Sequence, residues 1–297
     1  MVNLDQLRIF QAVAQARSFT RAAEVVHLTQ PGISKHIRQI EEYYGVPLFD
    51  RLGRKVALTP AGEILFEATQ EIMALAGAAE ERIQELAGMG AGRLRLGASF
   101  PIGVYILPGV LAAFRKSYPA VDVPLSISTS EEIAEEVLAN KLDIGLVSGE
   151  VHDGRLRATQ FMTDELVVIV PGDHTWAAKT HVKAEELTAE PFIWAARGAG
   201  IRTVVEERLK AKGLALHKVI DFVNLEGVKH AVEVGLGISI QPRSIVEREI
   251  AAGSLKALQL ADMDSKIAYL YIYRKKRHVS AAASAFLDLL LKTASTP

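Results

Sequence analysis

Four side chains within nine residues carry the first chemistry this chain offers. In "TQPGISKHIRQIEEYYG" (29–45), Gln30, Ser34, Lys35 and Arg38 supply amide, hydroxyl, ammonium and guanidinium donors, with Pro31 among them. At roughly 100° per residue on a helix these five share one arc, while Ile33, Ile37 and Ile40 fall together on another. No acid interrupts the donor arc, since Glu41 and Glu42 come only after it. Glutamine can pair with adenine, and lysine or arginine with guanine, in a major groove. An isolated helix with such an edge is ordinarily just solvated, so its meaning depends on what positions it.

Two helical patterns precede it. "NLDQLRIFQAVAQA" places Leu4, Leu7, Phe10 and Ala14 at spacings of three and four, one apolar helix face. Ser18 and Thr20 offer N-cap oxygens before "RAAEVVH", where Ala22 and Ala23 let another helix approach closely. Thr29 or Gln30 caps the third helix, Pro31 occupies its first turn, and Gly45 suits the position just past its end. Four residues separate the second and third patterns, a helix–turn–helix spacing. "VPLFDRLGRKVALTPAG" follows, predicting strands "LFDR" and "KVALT" around Gly53 with Arg51, Arg54 and Lys55 near the tip. A basic hairpin there is a wing suited to phosphates or a minor groove. The whole chain carries a net charge of −1, yet residues 1–58 hold eight Lys and Arg against five Asp and Glu, a mildly basic head on a mildly acidic body.

The run "FTRAAEVVHLTQPGISKHIRQIEEYYGVPLFDRLGRKVALTPAGE" (19–63) resembles the DNA-binding domain of LysR-type transcriptional regulators. The resemblance rests on the Ala-Ala pair, the Thr-Gln-Pro run with its serine, the Leu-Phe-x-Arg and the Leu-Thr-x-Ala-Gly. Gly32, Ile40 and "YYG" depart mildly from that pattern, as packing variants. The resemblance implies a winged helix-turn-helix over 1–59, with Gln30, Pro31, Ser34, Lys35 and Arg38 facing the groove and Arg54 in the wing.

Pro60 opens a long helix, expected over 60–88. Leu65, Ile72, Ala79 and Leu86 recur every seven residues, and Ala68 and Leu75 follow the first two by three. That is a dimerising seam, interrupted at Arg82. "GMGAG" (88–92) supplies a hinge, placed at 89–92.

From Arg93 onward strand and helix patterns alternate: "RLRLGAS", "PGVLAAFRKSYP", "VDVPLSIS", "EEIAEEVLANK" and "LDIGLVS". This order predicts a parallel sheet with helices on its faces. A second set runs from "ELVVIVP" through "PFIWAAR", "TVVEERLKAKG", "KVIDFV" and "EGVKHAVEVG" to "GISIQP"; "IAYLYIY" and a helix "SAAASAFLDLLLK" close the chain. Ligands in such sheets bind beyond the carboxyl ends of strands. Four segments meet that condition: "ASFPIG" (98–103) with Ser99, Phe100, Pro101 and Ile102; "STSEE" (128–132) with Thr129 and Ser130; "VSG" (147–149) with Ser148; and "ARGAGIRT" (196–203). The last is a glycine-rich turn opening a helix, where N–H groups near Gly200 and Arg197 or Arg202 could hold an anion. Each alone reads as a cap or a turn, and their coincidence at equivalent strand ends makes the site.

The fold class is therefore multidomain α and α/β: a winged helix-turn-helix, a linker helix and an α/β domain over 93–297, which the resemblance implies is two-lobed. The resemblance implies that this domain is periplasmic-binding-protein-like. Its lobe I would span about 93–161 and 267–297, its lobe II about 162–266, with a small-molecule effector between them and no other cofactor. It also implies double-stranded promoter DNA as partner and self-association as a homodimer, often a homotetramer, and leaves RNA polymerase open as a further partner. "GASFPIGVYILP" most resembles members that sense anions or metabolites of sulphur and carbon assimilation.

An enzyme would need a catalytic group, and none stands out. The chain has no Cys, which excludes thiolate nucleophiles, disulfides and thiolate metal sites and fits a reducing compartment. G-x-S-x-G, the P-loop and G-x-G-x-x-G are absent, and the eight histidines form no ligand pair. A transport-type binding protein is disfavoured by the DNA-reading head and by "MVNLDQLRIF", which lacks a secretory pattern. No apolar stretch reaches the roughly 18 residues of a membrane span. A cytoplasmic location is expected.

Overall fold

In the computed structural model, which describes residues 2–52, 55–86, 92–275 and 279–294, the chain divides into two units, Met1–Leu86 and Ala87–Pro297.

The first unit opens with a capping box. The Gln6 N–H donates to Asn3 Oδ1 and the Asn3 N–H to Gln6 Oε1, starting α1 (Leu4–Ala16). Ser18 accepts from the Arg21 N–H at the start of α2 (Phe19–Val25). Thr29 accepts from the Gly32 N–H at the start of α3 (Gln30–Tyr44), and Gly45 ends that helix in the left-handed region, φ 71°. Phe10, Val13, Ala22, Ile33, Ile37 and Ile40 are fully buried at the centre. The apolar face of α1 is rotated from the expected one: Leu4 is half exposed, while Ile9 and Val13 are buried. The cause is that α1 packs against α2 and α3 on one side and against the next long helix on another.

The strands β1 (Phe49–Leu52) and β2 (Lys55–Leu58) pair antiparallel from Phe49↔Leu58 to Leu52↔Lys55. Phe49 anchors them, its ring centroid 5.3 Å from that of Phe10. Gly53 and Arg54, and the side chains of Arg51 and Lys55, lie outside the described residues. Thr59, 7% exposed, donates to Pro47 O at 2.7 Å and accepts from the Gly62 N–H at 3.0 Å, joining the wing to α4 (Pro60–Leu86). A Cβ on Gly62 would sit 2.1 Å from Leu48 O, so "TPAG" needs its glycine for this close approach.

The second unit is a mixed sheet. Parallel β3 (Leu96–Ser99), β4 (Leu125–Ser128) and β5 (Ile144–Ser148) are linked by α5 (Leu107–Ser117) and α6 (Ser130–Leu138). A π-helical turn, Ile102–Ile106, precedes α5. The long β6 (Leu156–Pro171) passes out of this lobe into the next. There follow β7 (His181–Val182), β8 (Pro191–Ala195), α7 (Gly200–Ala211), β9 (His217–Phe222) and α8 (Leu225–Glu233). Next come β10 (Ser239–Pro242), α9 (Glu247–Ala252), β11 (Leu255–Leu260), β12 (Lys266–Arg274) and α10 (Ala281–Ala294). β12 runs antiparallel to β5 and to the first half of β6, whereas β10 and β11 flank its second half. The two lobes thus share β6, with β8 parallel to β9. Four elements escape the sequence patterns, among them the short α9, which no pattern covers. The first half of β6 buries only Leu156 and Phe161, β7 is two residues long, and "LKALQL" (β11) is too short to declare a period.

Candidate functional site

The donor edge of α3 stands free. Gln30, Pro31, Lys35 and Arg38 are exposed and Ser34 is half-buried, opposite the fully buried Ile33, Ile37 and Ile40. The Gln30 side-chain amide donates to Ser34 Oγ at 3.1 Å, which aligns the first two donors. Among the described residues no ion pair engages Lys35 or Arg38. Glu41, the first acid after them, points elsewhere. Its Oε1 accepts the Leu48 N–H at 2.8 Å, holding the entry to the wing. The cations of α3 therefore keep their charge available for a partner.

On α4 the apolar seam is only partly as expected. Ile72 and Leu75 are exposed, Leu75 by 74%, and Ala79 is exposed on the same stripe. Leu65 instead packs with Phe66 against the helix–turn–helix core, and the Leu86 side chain lies outside the described residues. Ile64 (72% exposed) and Ile83 (64%), which the heptad count does not include, widen the stripe.

In the second unit a narrow cleft opens where strand ends meet helix starts. One lobe contributes Ser99, Phe100, Pro101, Ser128, Thr129, Ser130 and Ser148; the other contributes Ala195, Ala196, Ala199, Gly200, Ile201, Val223 and Leu225. None of these side chains is charged, and five bear a hydroxyl. Ser99 is 3% exposed and its Oγ has no hydrogen-bond partner. An unpaired buried hydroxyl costs on the order of 1–3 kcal/mol. Ser130 and Ser148 satisfy one another: Ser130 Oγ donates to Ser148 O at 3.2 Å and accepts the Ser148 N–H at 3.2 Å.

The two helix starts at the cleft differ. At α6 a capping box closes the end: Glu132 accepts from the Thr129 N–H at 3.2 Å, from Thr129 Oγ1 at 3.1 Å, and from the Ser128 hydroxyl. At α7 the N-cap is Ala199, with no side-chain cap, so its first N–H groups remain available. A Cβ on Gly200 would fall 1.7 Å from Ser148 O; only glycine lets α7 begin against the end of β5.

Three expected cleft residues, Ile102, Arg197 and Arg202, do not line it. Ile102 is fully buried, because the π-helical turn directs it into the core beneath α5. Arg202 is 7% exposed and committed within its own lobe: it donates to Glu206 Oε1 at 2.7 Å, to Ala195 O at 3.0 Å and to Asp221 Oδ1 at 3.0 Å, with its guanidinium 5.2 Å from the Trp194 ring centroid. It rivets α7 to β8 and β9 instead of meeting a ligand. Arg197 is exposed on the turn whose neighbours Ala196 and Ala199 line the cleft. Val223 and Leu225 are absent from the expected set, although Val223 ends "KVIDFV" and Leu225 lies two residues on, where the same strand-end rule would find them.

Comparison with known proteins places both units. Residues 4–63 match the family described as "Bacterial regulatory helix-turn-helix protein, lysR family", and residues 87–295 match "LysR substrate binding domain". The RuBisCO operon transcriptional regulator of Allochromatium vinosum is 32% identical over 294 residues, covering 99% of this chain and 97% of that one. A full-length single-residue variant of OxyR from Pseudomonas aeruginosa shares the fold with a TM-score of 0.74 at 24% identity, over 100% of this chain and 95% of its own. The regulatory domain of CcmR from Synechocystis PCC6803, solved in complex with 2-PG, aligns with 69% of this chain and 98% of its own, at 26% identity and a TM-score of 0.65. The chain belongs to the LysR family of transcriptional regulators.

Proposed function

We propose that the head reads duplex promoter DNA through Gln30, Ser34, Lys35 and Arg38, flanked by wing contacts from Arg51, Arg54 and Lys55, and that the cleft takes a small anionic metabolite controlling that binding. The observation that carries the second half is the buried, unpartnered Ser99 hydroxyl, which faces the same cleft as the uncapped start of α7. Main-chain N–H groups and hydroxyls can hold an anion without a counter-cation. The similarity to a RuBisCO operon regulator and to a domain solved with 2-PG supports a ligand from carbon assimilation.

Calorimetric titration of the full chain with 2-phosphoglycolate (the 2-PG of that complex) and with inorganic phosphate tests this. We expect heat of binding for one of them in the native chain and its loss in Ser99→Ala and Thr129→Ala. Heat unchanged in both variants would move the site elsewhere.

The exposed row on α4 supports pairing with a second copy, which would also present two reading heads to a two-fold symmetric site. Ile72→Asp with Leu75→Asp is expected to reduce the sedimenting species to a monomer; an unaffected dimer would reject that face. Leu65 is left native in that pair of changes, because it packs on the head.

A further inference from the structure

We infer that Tyr105 is a positioning residue for the cleft: its hydroxyl latches one lobe to the other through Lys229 and Glu226 of α8. This rests on the reading of the cleft as the ligand site.

Lys229 is 3% exposed, and a buried ammonium must be paired. Its Nζ donates to Glu249 Oε1 at 2.8 Å, Tyr105 OH at 2.9 Å and Ile245 O at 3.3 Å, and lies 3.0 Å from Glu226 Oε1. Three of these partners come from α8, α9 and the turn between β10 and α9, all in Lys229's own lobe. Tyr105 alone crosses from the other. Its ring centroid lies 5.2 Å from the ammonium, and its hydroxyl donates to Glu226. Burial by itself pushes the Lys229 pKa down, but the bonds to Glu249, Tyr105 and Glu226 outweigh it and hold the group charged.

The latch sits one turn from the cleft on both sides. Ser99, Phe100 and Pro101 line the cleft and lead directly into the π-helical turn that carries Tyr105; there the Leu107 N–H reaches back to Ile102 O. On the opposite wall Leu225 lines the cleft and is the first residue of α8, with Glu226 beside it. A widened turn of this kind commonly marks a functional position. Without the Tyr105 hydroxyl, Lys229 keeps Glu226, Glu249 and Ile245 O, so its own lobe stays paired and this one link between lobes is lost, while the Glu131 N–H still reaches Gly198 O at 3.3 Å. The latch thus biases the closed cleft, and a ligand bound only in that state is held more weakly when the closed population falls.

Hydrogen exchange on the full chain without ligand decides the matter. Tyr105→Phe is expected to speed exchange about tenfold at both 99–106 and 225–233, leaving α3 and α10 at their native rates. The effect should shrink at least twofold in a Glu226→Gln background, since the two variants break one link. Faster exchange confined to 102–107, unchanged exchange, or acceleration throughout the unit would each overturn the latch; the last would make Tyr105 an ordinary packing residue. A second arm titrates 2-phosphoglycolate: a several-fold weaker Kd in Tyr105→Phe is expected, and an equal Kd counts against the latch. If 2-phosphoglycolate and inorganic phosphate give no heat with the native chain, the ligand reading fails while the exchange result still judges the latch.

Discussion

Two surfaces of this protein offer donors to anionic groups, and they are built in opposite ways. The edge of α3 sets two exposed cations, Lys35 and Arg38, beside the hydrogen-bonded pair Gln30 and Ser34, over a stripe of three buried isoleucines. The cleft uses short hydroxyls and main-chain N–H groups delivered by β3, β5, α6 and α7, with no charged side chain in its lining. As a proposed DNA contact, the first would work through water and salt, at long range and with adjustable geometry. As a proposed ligand site, the second would work by desolvation and a fixed frame, where a misplaced atom leaves a donor unpaired. Each surface also depends on a glycine where two backbones nearly touch.

Those glycines give the largest expected effects. A Cβ on Gly62 would meet Leu48 O at 2.1 Å, and one on Gly200 would meet Ser148 O at 1.7 Å. Backbone atoms cannot yield as a side chain can, so each alanine variant should lose about 3 kcal/mol despite alanine's better helix propensity. Gly62→Ala is expected to abolish DNA binding while the heat of ligand binding persists; Gly200→Ala should do the reverse. Gly77→Ala and Gly109→Ala, where a Cβ meets nothing within 4 Å, are the controls and should gain up to about 1 kcal/mol in urea unfolding. If either clash variant lost both functions together, the two units would not fold independently.

The same contrast explains what is legible in the sequence. All that defines α3 is local: Thr29 caps it, Gly45 ends it, and Ile33, Ile37 and Ile40 are buried as the period requires. The cleft is assembled from residues far apart in the chain. The strand-end rule locates Ser99, Thr129, Ser130, Ser148 and Gly200 because it concerns topology. It cannot say where a side chain points, so it places Ile102 in the cleft although the π-helical turn buries it. Arg202 defeats the rule for a related reason: Asp221 and Ala195 O, which occupy it, reach it only once β8, β9 and α7 have packed. Ala195, Ala196 and Val223 carry no chemical signal at all. The first half of β6 is hidden likewise, since its ladder partner β12 lies about a hundred residues on.

Salt offers a second way to press the comparison. Lys35→Ala should weaken DNA binding by about 1–2 kcal/mol, roughly tenfold, in a gel-shift assay on a duplex selected from a random pool. It should also reduce the slope of log K against log salt by about 0.9 if the ammonium sits on a phosphate. An unchanged slope with weaker binding would assign Lys35 to a base edge, and unchanged binding would remove it from the reading edge. Ligand titrations over the same salt range should vary far less, because the cleft's donors carry no formal charge.

The smallest expected effect is the most discriminating, because its two halves have opposite signs. Ser99 Oγ is buried and unpaired, so the free protein bears the desolvation cost of that hydroxyl without a bond in return. Ser99→Ala removes the cost and should raise the urea midpoint of the ligand-free chain by the equivalent of about 1 kcal/mol. The same change removes the donor the ligand would use, so affinity for an anion in the cleft should fall by about 1–3 kcal/mol. An unpaired hydroxyl that merely packs would raise stability on removal without changing affinity, and one satisfied by a fixed water would make the alanine variant less stable. Only a donor held ready for a ligand gives greater stability together with weaker binding, and the matched measurement on Lys35→Ala should show weaker DNA binding with no gain in stability, since that ammonium is already solvated.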